Sequence, residues 1–363
     1  AFVAKPKGIM CSVAPCTNPN VTAVFNAAYA LKGRNVLIVA PHPRAKKTTL
    51  HTVEIMNEAL AKLGAPANLL QCIEEPSIEC TQILMQNSDV IIATGGAGMV
   101  KSAYSSGHPA FGVGPGNVQT IIDKGFDYKE AAQQIVQGRS YDNGLICAGN
   151  QSAIYPASDE AAFLAAMKEA GAYYVDDPAT VEKLRTTLFP DGRHINSKVV
   201  GQYPKTIAEL AGIEIPEGTR IILVKVDKAN AGDKDPLCAE KMCPVTIAIA
   251  VDSFEEGVAV AKKNLEYEGA GHSAVVHTYD NKKAEYAGVE LPVSRLLVNQ
   301  PGIFAANPAM ANGFNPSSTL GCGSWGNNSI SENLTYEHLI NISRIGWMKK
   351  PEEIPTHEQI WAE

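Results

Sequence analysis

Asn35-Val36-Leu37-Ile38-Val39-Ala40 and Asp89-Val90-Ile91-Ile92-Ala93-Thr94-Gly95-Gly96-Ala97-Gly98 decide the fold class. Each carries a short apolar, β-branched run of the kind that forms a strand buried on both faces. After the first, Leu50, Val53, Met56, Leu60 and Leu63 recur at helical spacing until Gly64 and Pro66 stop the pattern. A further apolar run at Asn68-Leu69-Leu70-Gln71-Cys72 and a helical stretch over 76–87 complete the series. Strand, helix, strand, helix, strand describes a parallel α/β sheet whose third strand runs into a glycine turn. Ligands of such sheets sit beyond the carboxyl ends of the strands, where glycine admits phosphate or sugar to the backbone. Thr94, Gly95 and Gly96 are therefore candidates for holding a dinucleotide. The turn is not a G-x-G-x-x-G fingerprint, and a plain tight turn is the alternative.

The alternation begins again from about residue 115. Helical stretches near 127–138, 158–171, 178–187 and 253–265 alternate with apolar runs over 220–224, 245–250 and 273–277. With 363 residues, 45% of them hydrophobic, the chain has enough apolar material for two cores. Two α/β domains are expected, with 229–235 as a surface loop. The net charge of −7 lacks the cationic excess of a nucleic-acid binder. Eight cysteines show no CxxC pair and no Cys/His grouping at zinc spacing, which predicts no metal site and a reduced, cytoplasmic setting. No apolar run approaches the roughly 20 residues that span a bilayer, and no signal-peptide pattern opens the chain, so no membrane association is expected.

Tyr141-Asp142-Asn143-Gly144-Leu145-Ile146-Cys147 places a thiol just past an Asn-Gly turn and just before the apolar run at Ser152-Ala153-Ile154-Tyr155. A nucleophilic thiol must be reachable and deprotonable, and a loop permits both. Any one of eight cysteines is by default buried and inert, so only a wider pattern singles out Cys147. Cys16-Thr17-Asn18-Pro19, Thr94-Gly95-Gly96, Asn143 to Cys147, Glu240-Lys241-Met242-Cys243-Pro244-Val245 and Asn299 supply it. Their order and spacing resemble the aldehyde dehydrogenase superfamily. Pro41-His42-Pro43-Arg44-Ala45-Lys46, Ala103-Tyr104-Ser105-Ser106-Gly107 and Leu320-Gly321-Cys322-Gly323-Ser324-Trp325-Gly326 resemble its CoA-acylating branch.

The resemblance spans essentially the whole chain and implies an α/β, aldehyde dehydrogenase-like fold of two interlocking α/β domains. Residues 1–113 would form the cofactor-binding domain, lacking an N-terminal part that relatives carry. Residues 114–312 would form the catalytic domain, and 313–363 would return to the first, ending in an oligomerisation strand near 339–345 that pairs with a neighbouring subunit. A homodimer or homotetramer is expected.

By the same resemblance, Cys147 attacks the aldehyde while the Asn18 amide and the Cys147 backbone N–H hold the oxyanion. Hydride passes to NAD or NADP, and the thioester is handed to coenzyme A. Glu240 would hold the nicotinamide ribose; read by itself it is a solvated loop carboxylate. His42, Arg44 and Lys46 would lie near the adenosine ribose, leaving the choice of NAD or NADP open. Gly112 opens the stretch Gly112-Val113-Gly114-Pro115-Gly116-Asn117, which stands where hydrolytic members carry a glutamate base, and it is grouped with the cofactor-binding residues. Without that carboxylate water is poorly activated, so the CoA thiol becomes the natural acceptor. His272 is the candidate for assisting proton transfer, with a merely hydrogen-bonding loop histidine as the alternative. Ala148 adjoins the thiol, where a small apolar residue weakens the assignment of succinate semialdehyde. That small aldehyde nonetheless leads, ahead of acetaldehyde and sulfoacetaldehyde. A non-catalytic scaffold that retains the fold is the reading from a different class.

Overall fold

Both opening runs become neighbours of a central strand in the computed structural model, which describes residues 1–305 and 312–362. After β1 (Phe2–Pro6) come β2 (Ile9–Val13), β3 (Val36–Ala40), β4 (Leu70–Cys72), β5 (Val90–Thr94) and β6 (Ala110–Val113). Strands β2 to β6 form one parallel sheet in the order β4-β3-β2-β5-β6. Helices α1 (Pro19–Lys32), α2 (Lys46–Lys62), α3 (Ile78–Gln86) and α4 (Ala97–Tyr104) connect them. Their starts are written in the sequence. Pro19 opens α1, and the Ser77 hydroxyl caps α3 by accepting the Cys80 N–H at 3.0 Å. The chain leaves β2 for β3 on one side and returns to β5 on the other, so the carboxyl ends of β2 and β5 flank the topological switch point.

A second parallel sheet contains β7 (Gln119–Ile122), β8 (Ser152–Pro156), β9 (Ala172–Val175), β10 (Ile221–Lys225), β11 (Val245–Val251), β12 (Gly271–His277) and β13 (Val293–Val298). Their order is β13-β12-β7-β8-β11-β10-β9. Successive residues of a strand point to opposite faces, and both faces here are covered. Ile154, Ile222 and Ile247 pack against residues such as Leu184 and Val258, whereas Tyr155, Leu223 and Ala248 pack with Ile135 and Phe163. That double burial explains why these strands read as continuous apolar runs rather than as alternating ones.

The strand expected near 339–345 forms as β14 (Ile340–Arg344), and one of its edges pairs antiparallel with β1 of its own chain, Val3 opposite Ser343. Residues 2–6 therefore leave the first sheet and join a separate two-stranded ribbon. Gly8 makes the turn between β1 and β2: its φ is +128°, and a Cβ there would stand 2.1 Å from an Asp89 carboxylate oxygen. The loop over 229–235 is only partly surface, because Ala231 is buried in the core and Asp235 is paired with Arg185 at 2.8 Å. Residues after 312 bridge the two sheets. Leu334 and Leu339 pack with Met10 and Leu37 of the first sheet, while Leu320 and Cys322 pack with Ala148 and Val275 of the second body. Among the described residues no helix is long and apolar enough to cross a membrane.

Candidate active site

The carboxyl ends of β2, β3 and β5 meet the amino ends of β8, β11 and β12 across a cleft of about 840 Å³. Cys147, Asn18, Glu240, His42, Thr94, Gly95 and Gly96 all line it. Residues more than two hundred positions apart are thus brought to one surface by the facing sheet ends.

The nucleotide side fits a dinucleotide. Gly96 precedes α4 without a capping side chain, so the first N–H groups of that helix have no intrahelical acceptor. A Cβ on Gly96 or Gly98 would meet nothing within 4 Å, and the buried Thr94 hydroxyl has no partner. Open backbone donors beside an orphaned hydroxyl suit a pyrophosphate. His42 lies at the end of β3, its Nδ1 accepting the Arg44 N–H at 3.1 Å. Arg44 is exposed and outside the lining, and Lys46 is held by Glu75 at 2.5 Å. Gly112 is also not at the cleft. A Cβ there would collide with Val100 and Tyr104, and its N–H donates to the Tyr104 hydroxyl at 2.8 Å, so this glycine lets β6 pack on α4. Gly114 and Pro115, two and three residues on, are the cleft residues.

On the chemical side, the loop before Cys147 is wound tightly. Asp142, Asn143 and Gly144 are all left-handed, with φ of 49°, 50° and 70°. Aspartate and asparagine tolerate that region better than most residues, at a cost of roughly 1 kcal/mol each. The Asn143 amide pins the loop by donating to the Gly201 carbonyl at 3.1 Å. Gly116 presses on it from the other side: a Cβ there would stand 2.1 Å from the Cys147 carbonyl oxygen. Asn18 occupies the N-cap position of α1 but caps nothing. Its Oδ1 instead accepts the Thr17 hydroxyl at 3.2 Å, leaving the amide N–H groups for the cleft.

Burial dominates the electrostatics. Cys147 is partly open to the cleft, yet the dense protein around it raises its thiol to about 12, with Glu240 and Cys322 adding to the rise and Arg295 opposing it. Burial, then the Glu268 carboxylate, raises Glu240 to about 8, so it is largely protonated at neutral pH. Glu268 accepts the Glu240 backbone N–H at 2.8 Å, which fixes this loop in the cleft. His272 stands apart from these groups. It is fully buried in β12, is absent from the lining, and is lowered to about 3 by burial and by Arg295. A neutral core histidine does not meet the expectation of a proton carrier at the cleft. Ala148 is likewise fully buried, packed with Leu320 and Cys322, and is not among the residues lining the cleft.

Sequence reasoning missed Glu268, Arg193 and Arg295. Glu268 was visible only as the residue after a helix, and Arg193 only as a charge in a polar loop. Arg295 did leave a trace, as a cation inside the apolar strand run Val293-Ser294-Arg295-Leu296-Leu297-Val298.

A thiol on a tight loop, an unengaged amide opposite it and a glycine-lined nucleotide crevice constitute the chemistry of an aldehyde-oxidising oxidoreductase. The aldehyde dehydrogenase family model matches residues 1–212, and the chain belongs to that family. Within it the chain is of the CoA-acylating class. It is 58% identical over 361 residues to a succinate-semialdehyde dehydrogenase (acetylating) of Clostridium kluyveri, covering 99% of this chain and 79% of that protein. The crystal structure of an acetylating aldehyde dehydrogenase from Geobacillus thermoglucosidasius superposes with a TM-score of 0.92 at 39% identity, over 98% of this chain and 77% of that one. A propionaldehyde dehydrogenase of Rhodopseudomonas palustris, solved with bound CoA and an acylated cysteine, matches with a TM-score of 0.85 at 28% identity, over 94% and 75% of the two chains.

Proposed function

We propose that the chain interconverts succinate semialdehyde and succinyl-CoA with a nicotinamide cofactor, through a thioester on Cys147. The observation that carries this reading is the meeting of Cys147 and the unengaged Asn18 amide in one cleft. The likeness to the Clostridium kluyveri enzyme supports the choice of aldehyde.

In the oxidative direction Cys147 loses its proton to solvent in the cleft, and its sulfur bonds to the aldehyde carbon. The carbonyl electron pair moves onto oxygen, where the Asn18 amide and the Cys147 N–H, which has no acceptor among the described residues, stabilise it. The nicotinamide cofactor, when bound, supplies the acceptor for the departing hydride. Collapse of the oxyanion restores the carbonyl as a thioester on Cys147. The CoA sulfur then attacks that carbon, and the Cys147 thiolate leaves. Thr94 and the Gly95–Gly96 backbone would hold the pyrophosphate of the cofactor, and Glu240 its ribose hydroxyls. Among the described residues lining the cleft Arg193 is the one lysine or arginine, so it would supply the permanent positive charge for an anionic ligand.

Initial rates with succinate semialdehyde, acetaldehyde and sulfoacetaldehyde, each with CoA, phosphate or neither and with NAD or NADP, test the reading. Reduced cofactor is expected to accumulate continuously only with CoA, with the highest kcat/KM for succinate semialdehyde. Free acid or acyl phosphate formed at a comparable rate without CoA would overturn it.

The ribbon of β1 and β14 leaves Phe2, Val3 and Ile342 exposed, along with an outer strand edge. Exposed apolar strand edges invite pairing, so we also infer a homodimer or homotetramer built on this ribbon. Light scattering should give a multiple of the chain mass, reduced by Ile342→Lys. A monomeric wild-type protein at micromolar concentration would contradict it.

A further inference from the structure

Arg295 is a cation almost wholly removed from water, at 2% exposure, yet among the described residues it makes no ion pair. Its donors are spread over neutral acceptors. Nε donates to Ser273 Oγ at 3.1 Å, one terminal nitrogen to Asn333 Oδ1 at 3.3 Å, and the other to the carbonyls of His272 at 2.8 Å, Gly321 at 2.9 Å and Gly271 at 3.5 Å. Hydrogen bonds of this kind satisfy the N–H groups but leave the charge uncompensated, which a fold tolerates poorly without a reason.

The packing around it shows where that charge is directed. Gly321 precedes Cys322, and Cys322 packs in one buried cluster with Ala148 and against Ile146, the two residues that flank Cys147. Gly271 lies so close to this loop that a Cβ would stand 1.8 Å from the Cys322 carbonyl oxygen. The guanidinium thus ties the start of β12 to the loop that backs the nucleophile. The ionisable groups bearing on Cys147 are Glu240 from the loop before β11, Cys322 from the loop after 320, and Arg295 from β13. Glu240 and Cys322 oppose ionisation of the thiol; Arg295 is the one charged group of the three that favours it, and the Cys147 backbone N–H adds to its effect. His272, beside Arg295 in β12, stays neutral and contributes no charge.

We propose that Arg295 is a positioning residue for catalysis: a fixed, unpaired buried cation whose missing counter-charge is the Cys147 thiolate formed on the way to the thioester. It does not touch the aldehyde. It acts through Cys147, with Cys322 between them as a neutral, polarisable neighbour. Ionisation of Cys147 sends a proton to water in the cleft and leaves a sulfur anion that this guanidinium stabilises. The inference rests on Cys147 being the nucleophile, and its test reads the thiol directly rather than turnover.

The rate of Cys147 alkylation by iodoacetamide, located by peptide mass spectrometry, is to be followed against pH in the wild type, Arg295→Met, Arg295→Gln and Arg295→Lys. Loss of the charge in Arg295→Met or Arg295→Gln is expected to slow alkylation at pH 8 by about tenfold or more and to displace the profile to higher pH, one pH unit corresponding to about a tenfold change. Arg295→Lys keeps the charge and should retain most of the rate. An unchanged profile in a folded Arg295→Met or Arg295→Gln protein overturns the proposal. Should Arg295→Met not fold, the Arg295→Gln profile decides, because the glutamine amide removes the charge while keeping a donor for the carbonyls that Arg295 holds. Full turnover by a Cys147→Ala protein would instead defeat the assignment of the nucleophile, whatever these profiles show.

Discussion

Cys147→Ala is expected to abolish CoA-dependent aldehyde oxidation, with kcat falling on the order of 10⁶-fold, the scale on which deletion of a covalent nucleophile is felt. The fold should survive. Cys147 sits partly open at the cleft on a loop whose shape is set by Gly116, Gly144 and the Asn143 amide, none of which depends on the sulfur. The decisive comparison is with Cys16, a second partly exposed thiol that lines the same cleft. Cys16→Ala should keep activity within a few-fold, whereas Cys147→Ala should also lose the acyl adduct that wild-type protein accumulates with aldehyde and cofactor when CoA is withheld. The reverse result, with Cys16 essential and Cys147 dispensable, would move the chemistry to the first sheet. A pH signature accompanies the expectation. Burial pushes the thiol up to about 12, above its ordinary value, so the reactive thiolate is the minor form at neutral pH. Its fraction grows about tenfold per pH unit below that value, and kcat/KM, which reports the free enzyme, should climb with pH through the neutral range. A flat profile would mean that binding of the cofactor, not the bare protein, sets the ionisation.

How far the sequence could be read depended on the length scale of the cause. The runs at Val36–Ala40 and Val90–Thr94 were legible because burial on both faces leaves a continuous apolar imprint. The Asn-Gly turn before Cys147 was legible because few residue types tolerate successive left-handed positions. Placement failed where it depended on the direction of one Cα–Cβ bond. Gly112 differs from Gly114 by two residues, yet the first packs β6 on α4 and the second meets the cleft. His272 failed for a related reason: it opens a strand that is buried along its whole length, and nothing in Gly271-His272-Ser273 reveals that the ring points into the core. The partner of β14 lay hundreds of residues away in a short, charged and proline-ended segment that carries no strand signal of its own. Arg295 was readable in principle, because a cation in an apolar strand needs an explanation, but its five acceptors come from three separate stretches that only the fold assembles.

Asn18→Ala separates catalysis from structure at a position where the two are usually entangled. An asparagine at a helix N-cap ordinarily contributes about 1 kcal/mol by accepting a backbone N–H, and its loss lowers the melting temperature. Asn18 makes no such bond: its Oδ1 accepts the Thr17 hydroxyl, and the Val21 N–H at the third helical position donates to Asn20 Oδ1 instead. Removing the amide should therefore leave thermal stability almost unchanged. Its chemical role is to meet charge that exists only after the sulfur has added to the carbonyl, so the loss falls on the transition state. We expect kcat to drop by about 10²–10³-fold with little change in KM for the aldehyde, the range found when one oxyanion donor is removed. The alkylation rate of Cys147 should stay at the wild-type value, since Asn18 is not among the groups bearing on the thiol. A kcat within a few-fold of wild type would show that the Cys147 N–H alone holds the oxyanion. A large fall in melting temperature would show that Asn18 is part of the scaffold of α1 rather than of the site.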